Sequence, residues 1–171
     1  GSNRVLAEMN RRYTREKYLG LLEYAYSVMP ELSVTSDVIV GFPGETYEEF
    51  RETVSLVQQA NFTSMYTFIF SPREGTKAAS MPDPVSREEK GRWFKELLDA
   101  QEVIAAKRTA SAVGKVYRVL CESVSKGGLI EGRTEGNVIV EFPADSSVIG
   151  TFRNVKVTES LTWILRGELA D

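Results

Sequence analysis

Leu32-Ser-Val-Thr-Ser-Asp-Val-Ile-Val-Gly-Phe-Pro-Gly44 is a β-branched, apolar run stopped by a Gly-Phe-Pro-Gly turn. Such a run suits a strand buried on both faces, the form taken in parallel sheets covered by helices. Thr46 and Glu49 follow as a T-x-x-E capping box, and Phe50, Val54, Val57 and Ala60 fall on one face of the helix it opens. Upstream, Tyr18, Leu21, Leu22, Ala25, Val28 and Met29 recur at spacings of three and four, with Thr14 as N-cap and Pro30 behind, which predicts a helix over 14–29. Downstream, Met65 to Phe70 reads as a second strand ending at Ser71-Pro-Arg-Glu-Gly-Thr76. Beyond Pro82 and Pro84, a Ser86/Glu89 capping box opens a helix to about Ala112, with Phe94, Leu97, Leu98, Gln101, Ile104 and Ala105 as its expected apolar face. Helix, strand, helix, strand and a longer helix is the rhythm of parallel βα units, so the first part is α/β.

At Gly114 the pattern changes. Lys115 to Glu122, Leu129 to Thr134, Asn137 to Phe142, Asn154 to Glu159 and Leu161 to Glu168 are short alternating segments separated by Gly, Asn, Pro and Ser. Five short strands in succession predict a small closed all-β barrel, which leaves no edge to protect. The expected domains are therefore 1–113 and 114–171.

Composition bounds the chemistry. The 171 residues include 21 Lys and Arg, 24 Asp and Glu, no His and one Cys, and 42% are hydrophobic. At roughly 100–200 residues per domain this is one domain or two small ones. Without His there is no imidazole acid, base or ligand, and Cys121 alone can neither form an internal disulfide nor assemble a metal or iron–sulfur site. On an alternating strand, Cys121 reads as a small buried hydrophobe. The formal charge of −3 supplies no global field for a polyanion, so any nucleic-acid contact has to be local. No apolar run approaches the roughly 18 residues of a membrane span, and the start lacks the apolar core of a signal peptide, so a cytoplasmic protein without membrane contact is expected.

Two regions attract a functional reading. The turn after the first strand is expected to bring unpaired backbone N–H groups to the carboxyl end of the sheet, where α/β folds bind ligands. Many βα loops carry Gly and Pro simply to turn, and by residue types alone that plainer reading is favoured. Arg73 and Glu74 belong to the next loop on the same rim and read as a solvated turn. Asp37, Glu45 and Glu74 are the available acids there. In residues 114–171, seven basic side chains interleave with Tyr117, Phe142, Phe152 and Trp163, the composition of a base-stacking, phosphate-tracking surface. Eight acidic residues share that segment, so an ordinary barrel with mixed surface charge is an equal reading. Arg4, Arg11, Arg12, Arg15 and Lys17 read as a solvated approach to a helix.

The stretches Gly1 to Thr14, Asp37 to Thr46, Phe70 to Thr76, Ile130 to Thr134 and Leu165 to Glu168 together resemble the radical S-adenosylmethionine methylthiotransferases, in order from the first residue to the last. Thr162 to Leu169 and Tyr66 to Ser71 look most like the tRNA branch. That resemblance implies the C-terminal half of a radical (β/α) partial barrel followed by a TRAM barrel. It implies a tRNA methylthiotransferase adding a methylthio group to carbon 2 of N6-isopentenyladenosine beside the anticodon. S-adenosylmethionine and two 4Fe–4S clusters are its cofactors in the full-length enzyme. The cluster-binding cysteines of the family are not in this sequence, so this chain is expected to hold no cofactor, to carry no catalytic or metal-ligating residue and to be inactive alone. Gly1 and Ser2 stand either as a cloning scar or as native sequence of a longer protein. By the same resemblance, Ile39, Val40, Gly41, Phe42, Pro43, Gly44 and Glu45, with Phe68 and Phe70 of the following strand, correspond to contacts with S-adenosylmethionine. Arg118, Lys126, Arg133 and Lys156 are the candidate contacts to a tRNA anticodon stem-loop. The branches acting on threonylcarbamoyl-adenosine or on a ribosomal protein remain open, as does a free-standing RNA-binding module whose α/β part dimerises through its exposed sheet edge.

Overall fold

A computed structural model describes residues 1–170, which form two compact units, 1–104 and 105–170. In the first, helices α1 (Asn3–Glu8) and α2 (Arg15–Val28) precede strand β1 (Thr35–Val40), helix α3 (Tyr47–Ala60) and strand β2 (Ser64–Ile69). A short 3-10 turn (Lys77–Ser80) leads to α4 (Arg87–Ala110), whose last residues enter the second unit. β1 and β2 pair in parallel, from Thr35 opposite Ser64 to Val40 opposite Ile69.

The expected caps are present. Thr14 Oγ1 accepts from the N–H of Lys17, and Thr46 and Glu49 complete the reciprocal box at the start of α3. Ser86 Oγ accepts from the Glu89 N–H, but the Glu89 carboxylate is taken by Trp93 Nε1 at 3.0 Å and by Arg92. Phe50, Val54, Val57 and Ala60 are all buried, and with Leu22, Val40, Phe62, Trp93 and Leu97 they make the core of this unit. Trp93 stacks on Phe50 with centroids 5.3 Å apart, which adds about 0.5–1.5 kcal/mol to the burial of the two rings.

Two expectations need correcting. The inner face of α4 runs through Lys90, Trp93, Leu97, Gln101 and Ala105, whereas Phe94 is only half-buried and Leu98 is exposed. Leu97, Gln101 and Ala105 are buried as expected and Ile104 packs against the core, but at the start of the helix Trp93, which stacks on Phe50, takes the inner place expected of Phe94. Nor is β1 buried on both faces: Thr35, Asp37 and Ile39 are exposed while Val38 and Val40 face the core. With only two strands, the described residues cover one side of the sheet.

The second unit is the expected barrel. β3 (Val116–Val124), β4 (Ile130–Thr134), β5 (Ile139–Phe142), β6 (Phe152–Ser160) and β7 (Ile164–Leu169) close in the order β3-β4-β5-β7-β6. β5 and β7 are parallel and every other pair is antiparallel, with irregularities at Cys121/Ser123 and Val157/Glu159 that bend the long strands into closure. Val119, Cys121, Ile130, Val140, Phe142, Val155, Val157 and Leu165 fill the interior. Cys121 is 1% exposed, which makes it a core residue, and burial raises its thiol pKa. Among the described residues no helix is long and apolar enough to cross a membrane.

The barrel is narrow where β4 meets β3 and where β7 meets β6. A Cβ on Gly132 would stand 2.4 Å from the Leu120 carbonyl oxygen, and one on Gly167 would stand 2.5 Å from that of Lys156. Backbone cannot retreat as a side chain can, so Gly132→Ala should destabilise the barrel by about 1–3 kcal/mol. Thermal melts followed through Trp163 should show the loss, and an unchanged midpoint would mean the strands have room to part.

Candidate functional site

The loop after β1 is organised by an acid that sequence reasoning left among several. Phe42 and Glu45 close a turn through the Glu45 N–H and the Phe42 carbonyl, 2.9 Å apart. Gly41 supports it with φ at +74°, a conformation that favours a residue without Cβ. The Glu45 side chain then folds back under the loop, where Oε2 accepts from the N–H of Gly41 at 2.6 Å and of Phe42 at 3.1 Å. Those amides are therefore not open to a ligand, as the strand–turn–helix pattern had suggested. A carboxylate from the same loop occupies them first, because it is near in sequence and needs no ordering by a partner. Glu45 is buried, and burial raises its pKa against the lowering effect of the two N–H donors.

Glu49, one turn along, has the opposite setting. Arg4 of α1 grips it through Nε at 2.5 Å and a second nitrogen at 2.6 Å, and Ser2 Oγ and the Thr46 N–H add further hydrogen bonds. Hydrogen bonding to Arg4 is the largest cause of the drop in its pKa to about 2. The same guanidinium donates to the Gly44 carbonyl at 2.7 Å, tying α1 to the loop. Arg15 donates to the Glu52 carbonyl and, at 3.1 Å, to Ser55 Oγ. Arg4 and Arg15 are thus structural ties to α3, not a solvated approach to a helix. Neither pairing shows in the sequence, since the partners lie some forty residues apart.

The other wall of the loop is Lys90. Its aliphatic stem lies where a Cβ on Gly41 would be, its Nζ meets Asp83 at 2.5 Å, and it sits 6.0 Å from the Phe70 ring centroid. Phe42 meets Phe70 edge-on at 5.3 Å. Of the residues singled out for the cofactor, Val40, Gly41, Phe42, Pro43 and Glu45 are buried in the packed loop, while Gly44 and Phe70 are half-buried. Ile39 and Phe68 pair in register on the open face of the sheet, 37% and 50% exposed. They line a cavity of about 730 Å³ together with Asp37, Glu45, Phe70 and Arg73. Arg73 and Glu74 are exposed, as expected of a solvated turn.

On the barrel, strand alternation turns Val119, Cys121, Gly132, Val155 and Val157 inward and leaves their neighbours outside. The order β4-β3-β6 and the pairings Leu120 with Arg133, Leu120 with Phe152 and Val116 with Lys156 bring Arg133, Arg118, Phe152 and Lys156 onto one outer face. Lys126 is exposed in the β3–β4 turn, away from them. Acids dilute this face: Arg133 bonds Glu122 at 3.1 Å, and Arg118 lies 3.8 Å from Glu135. Of the four aromatics noted in the sequence, Phe142 is core and Tyr117 packs against the core, so Phe152 and Trp163 are the exposed ones.

Comparison with known proteins matches two family models, the radical SAM superfamily over residues 1–57 and the TRAM domain over residues 110–170. Full-length similarity runs to curated proteins named tRNA-2-methylthio-N(6)-dimethylallyladenosine synthase. The one from Thermoanaerobacter sp. (strain X514) is 43% identical over all of this chain and 37% of its own length. Those from Geobacillus kaustophilus and Geotalea uraniireducens are each 45% identical over 100% and 99% of this chain, and 33% and 39% of their own length. The chain thus spans little more than a third of the relatives it matches.

The two glutamates predict opposite pH responses. Glu49 has a lowered pKa in the folded state, so its contribution to stability is complete above its ordinary value of 4.5 and is lost as pH falls toward about 2. Glu45 has a raised pKa, so its contribution is complete below 4.5 and declines as pH rises above that value. Urea midpoints read through buried Trp93 in a Trp163→Phe background should lose the acid-side slope in Glu49→Gln and the opposite slope in Glu45→Gln. Parallel curves for all three proteins would refute both assignments.

Proposed function

We infer from a chain that belongs, along its whole length, to the radical SAM methylthiotransferase family that it forms part of an enzyme modifying tRNA. In this reading the enzyme places a methylthio group on carbon 2 of N6-isopentenyladenosine beside the anticodon. The observation that carries it is the 43–45% identity, across essentially every residue, to synthases named for that product. It favours this branch over those acting on threonylcarbamoyl-adenosine or a ribosomal protein.

Residues 1–113 act as the cofactor-placing portion and 114–171 as the RNA-holding barrel. Ile39 and Phe68 offer apolar, open surface beside a cavity large enough for a nucleoside, which suits the adenine of S-adenosylmethionine. The loop from Val40 to Glu45 serves as the rigid rim of that site, with Phe70 behind it. Its amides are held by Glu45, so it contributes shape and exclusion of water in place of direct N–H donors. When bound, S-adenosylmethionine and its cluster supply the radical chemistry. The chain has no ligand set for a cluster, since its one thiol, Cys121, is buried in the barrel, and it is inactive taken alone. Arg118, Arg133 and Lys156 on the barrel face, with Lys126 in its turn, are the contacts to tRNA, mainly through its phosphates.

A chimera in which this chain replaces the matching part of a relative, expressed in cells lacking the modification, should restore 2-methylthio-N6-isopentenyladenosine in tRNA hydrolysates. The chain alone should restore none. Absence of that nucleoside with a folded chimera would sink the reading. Separately, a filter-binding titration of an anticodon stem-loop should give a log–log salt slope of about −2 to −3, because only about three phosphates can be neutralised. Arg133→Ala should make the slope shallower by about one unit of phosphate contact. A flat salt response would remove the barrel face from the RNA site.

A further inference from the structure

Phe152 stands at the start of β6 with 48% of its surface exposed, and the Arg118 guanidinium lies 4.0 Å from its ring centroid. A large aromatic ring on the outside of so small a barrel gains nothing from the interior, which Phe142 and the valines already fill. Arg118 has only a loose contact with Glu135 at 3.8 Å, and both side chains are more than half exposed, so the guanidinium can slide on the ring without losing a strong partner. Lys156 lies four residues further along the same strand, about 13 Å away at about 3.3 Å per residue. Arg133 is two strands across, at about 10 Å.

We propose that Phe152 and Arg118 form a stacking site for one unpaired base of a single-stranded RNA segment, flanked by Arg133 and Lys156 as phosphate contacts. This deepens the RNA-binding reading above and rests on it. Every base has a π-face, so the platform is indifferent to sequence, and the planar guanidinium offers a second stacking surface and N–H donors at its edge. The neighbouring acids repel a phosphate more than they repel a neutral base, which suits a site that holds the base directly and the backbone only at its margins. Tyr117 cannot serve, because it packs against the barrel core. Trp163 is exposed but belongs to the β6–β7 hairpin, off the strands that carry the cations.

The test uses the intact chain and a short single-stranded RNA with one internal 2-aminopurine, whose fluorescence is quenched on stacking. Binding to the wild-type chain should quench it. Phe152→Leu should abolish the quench and weaken binding about tenfold at every salt concentration, leaving the salt slope unchanged. Phe152→Tyr should restore both, which excludes a folding defect at the position. Arg133→Ala should do the reverse, changing the slope while keeping the quench at saturation. Salt-dependent binding without a change in fluorescence, or a Phe152→Leu chain that binds and quenches like wild type, overturns the stacking site and leaves the phosphate reading standing. No binding of single-stranded or stem-loop RNA at low salt overturns both.

Discussion

The first unit depends on a carboxylate turned inward. By accepting from Gly41 and Phe42, Glu45 converts a turn that would otherwise expose two backbone donors into a closed, buried ring. A buried amide left without an acceptor costs about 1–3 kcal/mol, so the loop has few other ways to be both tight and dry. Because Glu45 fixes the loop from within, Lys90 can lie against bare Gly41, and Phe42 can reach Phe70.

Arg4 does for the exterior what Glu45 does for the interior. It engages the capping carboxylate of α3 and the Gly44 carbonyl together, so the short helix α1, the loop and α3 share one charged joint. Beside that joint, the apolar side chains of Ile39 and Phe68 lie open to the cavity.

Local chemistry was legible in the sequence and distant chemistry was not. The Thr46/Glu49 box and the face Phe50, Val54, Val57 and Ala60 depend on spacings within one helix, and both hold. The five strands of the barrel were readable from alternation, and so was the fact that Cys121 is buried. The parallel pairing of β5 with β7 leaves no mark in either strand. Two adjacent apolar residues, Trp93 and Phe94, cannot be ordered from periodicity alone; Phe50 decides between them. An apolar run such as Val38 to Val40 likewise says nothing about how many faces its neighbours will cover. Glu45 looked like any loop acid, since burial is a property of the surroundings and not of the residue. On the barrel, alternation was enough to put Arg118, Arg133 and Lys156 outside, but only the pairing register brings them beside Phe152.

The interior of the barrel is taken up by its own side chains: Val119, Val140, Phe142, Val155 and Val157 are wholly buried, and Gly132 and Gly167 lie close against the backbones of β3 and β6. Everything the barrel recognises must therefore be met on its outer skin, where residues contribute little to holding it together. Outer residues are free to drift toward new partners while the interior stays fixed. A fold of this kind can be passed between different enzymes as a ready-made handle, keeping its shape and changing only its grip.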